Sequence, residues 1–315
     1  MIVARKNERG QAIVLMVLAL VVLLGMAALV LDVGNWFHTK RRLQATSDAA
    51  ALAGAQKLPD DPGGAATMAM SYANQNGGDV AGTDITITST AAPNDTISVK
   101  AKRTDPGVFT SVLGIGSANI DAHAKARVGP PQDALHVAPM VVYCGHTLIH
   151  NCNKDSTPDF GPDHMTTMNY DPMGAPGAFG MLNLDGGNGT PGSSDEADWI
   201  QHGFNKYLPL GNYRSDPGAK FSSNNIQSAL ENRLDTVLLF PVYKTLDGQG
   251  QNAQYEIIGW IGFHLTSYEV HGNNATLHGY FTQFIAQGIL TGSGNGTSGP
   301  PNSSTWGVKS IQLIE

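Results

Sequence analysis

The apolar pattern changes character along the chain. Residues 12–31, AIVLMVLALVVLLGMAALVL, form an unbroken apolar run without a charge. As a helix, 20 residues span about 30 Å, the thickness of a bilayer's hydrocarbon core. Seven Leu, five Val and one Ile favour insertion by roughly 4–8 kcal/mol on a per-residue insertion scale. The run ends on a lone acid, Asp32. At that depth a carboxylate is expected to reach headgroups or water, at far lower cost than at mid-membrane.

No strong helix breaker follows. Residues 39–58, TKRRLQATSDAAALAGAQKL, are rich in Ala, Leu, Arg and Gln, all good helix formers. One long helix is therefore predicted from about Gln11 to Leu58, stopped by PDDPGG at 59–64. Leu43, Ala50, Gly54 and Leu58 recur at helical spacing beside Ser47 and Ala51. Small side chains let another helix approach closely through dispersion contacts. Ser47, Ala50, Ala51 and Gly54 are thus candidates for packing against copies of this helix or related chains; an Ala-rich stalk without a partner is the plainer alternative.

Further on, residues 65–77 read as a short amphipathic helix. DITITST (84–90) and TISVKAK (96–102) alternate with period two, as half-buried strands do. Residues 105–114 begin Asp-Pro and end on Gly, which predicts a helix. Residues 117–128 suggest an edge strand that places His123 at the surface. GPPQD (129–133) reads as a linker, residues 135–144 as a buried strand, and 145–196 as one long turn-rich loop. Helices are predicted at 195–208 and 224–234, and core strands at 236–243, 255–270 and 276–285. Residues 291–305 have a flexible composition, and VKSIQLIE at the C-terminus suggests a final edge strand.

The expected fold class is α+β. A transmembrane helix (11–33) follows a cytoplasmic tail (1–10) and extends into an Ala-rich helical stalk (34–58). A small α+β domain (65–128) and a loop-rich mixed β domain (135–315) complete the chain. A cleaved signal peptide fits less well, because its apolar region is normally about 7–15 residues and is followed by a small-x-small site. Here the small pair Ala27-Ala28 lies inside the apolar stretch. Three Lys/Arg flank the run on each side. The N-terminal three lie closer to the boundary, and a large C-terminal part crosses largely regardless of charge. The N-terminus is therefore expected inside and the bulk of the chain outside.

Of 315 residues only 14% are charged, with 37 Gly and 17 Pro, which fits a loop-rich protein. The first 42 residues hold six basic and two acidic side chains, and the remainder holds 13 against 24. Such an acidic bulk argues against a nucleic-acid partner. Cys144 and Cys152 are the two cysteines. Beyond a membrane, an even pair most simply forms a disulfide; Cys144, His146, His150 and Cys152 also offer the ligand types of a zinc site. Asp185, Asp195, Glu196 and Asp198 lie among glycines, and Asp155, Asp159 and Asp163 alternate with Pro and Gly. Their spacing fits no EF-hand, so plain turns are expected. GxSxG, HExxH and P-loop motifs are absent, and no catalytic, cofactor-binding or metal-binding residue is assigned.

The N-terminal segment resembles that of TadG/TadE-like proteins of the tight-adherence (Flp) pilus assembly group. The shared marks are Gly10-Gln11 entering the run, Asp32-Val33-Gly34 leaving it, Arg41-Arg42-Leu43-Gln44, and the Asp48-Ala49-Ala50-Ala51 stretch up to Ala55. The resemblance implies a membrane-anchored, non-enzymatic component that supports pilus assembly. Its implied partners are the bilayer, other assembly proteins or pilins and, through the N-terminal helix, further copies. Pilins cut by prepilin peptidase carry Glu five residues after the cleaved Gly; counted from Gly10 that position is Leu15, so pilin-type processing is not expected. FGMLNLDGG, FPVY and YEIIGWIGFHLTSY also resemble a C-terminal domain of some actinobacterial-type TadG-like proteins, which implies no chemistry. The DxSxS motif of a metal-dependent adhesion domain is absent. The rival class is an anchored ligand-binding module or hydrolase with a pocket lined by Asp185, Asp195, Trp199 or His202.

Overall fold

The computed structural model describes residues 9–114, 116–150, 152, 157–175, 177–187, 190–218, 220–290 and 306–314. Most of the tail 1–10, the segment 291–305, Asp155 and Asn188 lie outside the described residues. The chain forms two compact units, Met1–Thr88 with Thr96–Ala126 and Leu313–Glu315, and Ser89–Asp95 with Arg127–Gln312.

The first unit is built on α1 (Arg9–Ala55), 47 residues and so about 70 Å long. Its two halves live in different surroundings. Between Ile13 and Leu31, large apolar side chains at nearly every position are 43–72% exposed, on all sides of the helix. From Asp32 onward a buried stripe runs through Asp32, Thr39, Leu43, Thr46, Ser47, Ala50, Ala51 and Gly54, and Ala53 and Ala55 are buried beside it where the helix ends. The positions of the stripe recur every three, four or seven residues, which is one helical face.

PDDPGG both stops α1 and starts α2 (Pro62–Gln75). The Asp61 carboxylate accepts the Gly64 N–H at 2.8 Å, and Pro62 stands where a missing N–H costs nothing. The helix therefore begins three residues before the apolar pattern does. It doubles back along α1: Gly54 faces Ala65 and Ala69, and the Thr46 hydroxyl donates to the Asn76 carbonyl at 2.7 Å. Strands β1 (Ile85–Thr88), β2 (Thr96–Pro106) and β3 (Ser117–Gly129) lie in that order in one sheet. β1 and β2 are antiparallel, with Ile85 opposite Val99. Ile97, Val99 and Ala101 of β2 and Ala122, Ala124 and Ala126 of β3 alternate into the core. The helix expected at 105–114 is not there. β2 runs on through Pro106, and only a short 3-10 turn, Thr110–Leu113, follows, closed by Gly114 at φ +85°. β3 is not an edge either, since Ile314 donates its N–H to the Lys125 carbonyl at 2.9 Å.

The second unit begins with β4 (Pro131–Ala134), where a linker was expected, and β5 (Met140–Tyr143). β6 (Met165–Tyr170) and β7 (Ala178–Met181) lie inside the stretch read as loop. α3 (Ser193–His202) ends at Gly203, φ +76°, before the predicted Leu208. Then come β8 (Leu208–Pro209), β9 (Gly211–Arg214) and α4 (Asn224–Glu231), whose Ser223 cap accepts the Asn225 N–H. β10 (Thr236–Asp247), β11 (Gln254–His271) and β12 (Asn274–Thr282) are long, as the apolar pattern predicts. β13 (Phe284–Ile285), β14 (Gly288–Leu290) and β15 (Val308–Leu313) finish the chain.

The strand order β10-β5-β7-β6-β12-β11 closes on itself, because β11 also pairs antiparallel with β10. Closure leaves those six strands without a free edge at the seam. β10 and β11 bury both faces. Leu238, Phe240, Phe263 and Leu265 pack with Phe281 and the apolar faces of α3 and α4, while Leu239, Tyr243, Ile257 and Trp260 pack on the other side.

At Gly54, α1 comes close to both α2 and β2. A Cβ there would stand 2.6 Å from Ile97 Cδ1 and 2.9 Å from the Ala65 carbonyl oxygen. Gly54→Val is expected to lower stability by about 1–3 kcal/mol through overpacking, read as a lower melting temperature of the full chain in nanodiscs. An unchanged melt would mean that α1 and α2 do not meet there.

Candidate functional site at the exit of the apolar helix

The polar residues that follow the apolar run are used to fasten α1 to its own unit. Asp32 is 5% exposed, not turned out to water as its position suggests. Its carboxylate accepts the backbone N–H groups of Val108, Phe109 and Thr110 at 3.2, 2.9 and 2.6 Å. These are the amides that open the 3-10 turn and would otherwise have no partner within it. The anion for this turn thus comes from α1 and not from Asp105, the acid that precedes it in sequence.

Two turns further along, the Thr39 hydroxyl donates to Asp105 at the end of β2. Arg103 donates to the same carboxylate at 2.6 Å. The Thr39 hydrogen bond, then Arg103, hold the Asp105 carboxyl below the usual carboxylate range against the opposing effect of burial. Arg42 and Arg103 both approach Asp79, at 3.3 and 3.7 Å. Lys40 donates to the Asp121 carbonyl, Gln44 to the His123 carbonyl and Ser47 to the Ala122 carbonyl. Leu43 is fully buried with Ala101 and Ala122. Anchored residues from Asp32 to Ser47 therefore grip β2, β3, the α2 terminus and the turn after β2.

This geometry gives the small-residue stripe a partner within the same chain. Ser47, Ala50, Ala51 and Gly54 are buried against α2, β2 and β3, so this face is not open to a second helix. The reason is the αα-hairpin: α2 is itself lined by Ala65, Ala69 and Ala73 and covers the face that was a candidate for packing against copies or related chains. Asp32 and Thr39 were missed as members of the stripe, although they stand eleven and four residues before Leu43 on the same face.

Elsewhere the predicted site residues are dispersed. Cys144 and Cys152 are disulfide-bonded with their Cα atoms 4.8 Å apart, so neither sulfur is a thiolate ligand. His146 is buried, meets Phe281 edge-on at 5.2 Å, and accepts the Leu148 N–H at 3.1 Å; burial pushes its pKa down. His150 faces Asp159 at 3.3 Å. Asp185 closes its own turn on the Gly187 N–H, Asp195 accepts the Gly192 N–H, and Asp198 pairs with exposed His202. Trp199 is 8% exposed and packs edge-on to Phe204; it belongs to the core and does not line an open pocket. Among the described residues no three His, Cys, Asp or Glu side chains gather as a metal site.

The side chains of Glu196 and Asp216 are both fully buried. Lys220 donates to Glu196, and Asp216 stands 3.6 Å from the same ammonium. Burial first, then the hydrogen bond with Asp216, push the Glu196 pKa up to about 7 from 4.5. Between those values the folded state holds a proton that the unfolded chain has released, so stability falls as pH rises through this window. Melting temperatures of the full chain measured from pH 4.5 to 7 are expected to fall, and Glu196→Gln to flatten the slope. An identical slope in the variant would reassign the dependence to another group.

The three-amide clasp makes its own prediction. Asp32→Ala is expected to speed hydrogen exchange at the amides of Val108, Phe109 and Thr110 while α4 and β11 keep their protection. Equal protection in both proteins would show that the carboxylate does not hold the turn.

Comparison with known proteins adds one match. No curated protein and no solved structure matches the chain. A family model described as putative Flp pilus-assembly TadE/G-like matches residues 10–57. The match covers the apolar run and the whole fastened part of α1, and ends before α2. The N-terminal segment of this protein, from Gly10 through the end of its long helix, is thus similar to the TadE/G-like family of putative Flp pilus-assembly proteins.

Proposed function

We propose that the protein is a single-pass, non-enzymatic envelope component that supports assembly of Flp-type pili. α1 crosses the membrane with its N-terminus on the cytoplasmic side, and both folded units lie beyond it. The observation that carries this reading is the coincidence of the TadE/G-like segment with a helix whose first half is apolar on every side and whose second half is locked into a folded unit. The role is mechanical. A clasp of a carboxylate and three amides joins the anchor to the fold, so that a load or a lateral contact on the first unit is passed to the membrane helix. Its partners are pilins or other assembly proteins.

The rival reading, an anchored ligand-binding module or hydrolase around residues 185–202, has less support. Asp185, Asp195, Asp198 and Glu196 each serve a local structural bond, and Trp199 is core. Deleting the gene in the bacterium that encodes it is expected to remove or thin surface pili and to weaken adherence, with recovery by the wild-type chain. Normal piliation in the deletion strain would reject the role.

A further inference from the structure

We propose that the turn carrying Val108 and Phe109 is a second membrane contact, seated in the lipid interface beside α1. The inference rests on the reading of α1 as a membrane anchor. Val108 is 67% and Phe109 45% exposed, although they stand between the buried residues Gly107 and Thr110. Single exposed apolar residues are ordinary, but four features set this pair apart.

Its depth is fixed. The amides of Val108, Phe109 and Thr110 bind the carboxylate of Asp32, the residue that follows the last Leu of the apolar run. The turn therefore sits level with the end of the hydrocarbon-spanning segment, in continuity with that apolar surface. Backbone groups on both sides of the pair are also bonded within the protein. Besides the three amides held by Asp32, Gly107 donates to the Gly116 carbonyl, Gly114 to the Ser111 carbonyl, and the Ser111 hydroxyl to the Val108 carbonyl. A segment that enters the acyl boundary must satisfy its polar groups internally, and this turn does so at each of these groups. The sequence agrees: residues 106–120 contain no charged side chain. On α1, Phe37 is 66% exposed just over one turn beyond Asp32, and exposed aromatic residues at that level suit the headgroup region.

The occupant is lipid. A bilayer already surrounds the residues on the N-terminal side of Asp32, and the exposed pair extends that apolar surface sideways from the helix. Two points of contact would restrict tilt and rotation of the folded unit relative to the membrane, which a single helix leaves free.

The test places one environment-sensitive fluorophore at a time on the full chain in vesicles, with the native Cys144–Cys152 pair left oxidised. Labelled Val108→Cys is compared with Leu31→Cys in the apolar run and Lys57→Cys, which lies past the end of α1 and about 36 Å of helix beyond Leu31. Lipids bearing a nitroxide high on the acyl chain are the quencher. Loss of emission at position 108 comparable to that at 31, with none at 57, is the expected result. Quenching at 31 but not at 108 overturns the second contact and leaves the anchor standing. A blue-shifted but unquenched label at 108 means that protein covers the turn, and also overturns it. No quenching at 31 overturns the anchor itself.

Discussion

A carboxylate at the end of a membrane-length helix must find donors, and in this chain it finds three backbone amides. Asp32 holds Val108, Phe109 and Thr110, residues that are remote in sequence. Charge-assisted bonds to N–H groups are among the stronger hydrogen bonds in proteins, and they give both the acid and the amides a partner. Without them the 3-10 turn would expose unsatisfied donors beside the apolar segment. The rest of the first unit follows from this point. The helix can leave the apolar run and enter a folded core without a hinge, because its first polar residue is already bonded to that core.

The core it enters is made of small side chains. Ala50, Ala51, Ala53 and Ala55 of α1, Ala65, Ala69 and Ala73 of α2, and Ala101, Ala122, Ala124 and Ala126 of the sheet are all buried. Alanines bury less apolar area each than leucines would, but they bring backbones close, and the polar bonds at Thr39, Gln44, Thr46 and Ser47 reach neighbouring carbonyls and carboxylates directly. Rigidity here comes from close approach and hydrogen bonding more than from large apolar knobs.

The second unit is organised differently. Its long central strands are rich in aromatic and β-branched residues, buried on both faces, and the strand circuit closes through β10 and β11. Phe240 stacks on Phe263 at 5.1 Å, and Phe263 meets Phe281 edge-on at 5.5 Å. The disulfide lies just after β5, where the chain leaves the closed sheet. Charged groups in this core, Glu196 and Asp216, are tolerated through the Lys220 ammonium.

The sequence alone determined what depends on nearest neighbours and on period. The apolar run from 12 to 31, the continuous helix beyond it, the stop at PDDPGG and the long strands β10, β11 and β12 all follow from composition and spacing within one segment. The TadE/G-like marks are also local and were legible. What the helix face was for was not legible, because Ser47, Ala50 and Gly54 look alike whether α2 or another chain covers them. Asp105-Pro106 carried a helix-start signal, yet the residue that satisfies the amides behind it is Asp32, 76 to 78 positions from them. β6 and β7 were hidden in a turn-rich stretch, since strands this short depend on partners distant in sequence. Tertiary structure decided which acid meets which amide, which face is covered and where the sheet closes, because those outcomes depend on contacts between segments that no single window of residues contains.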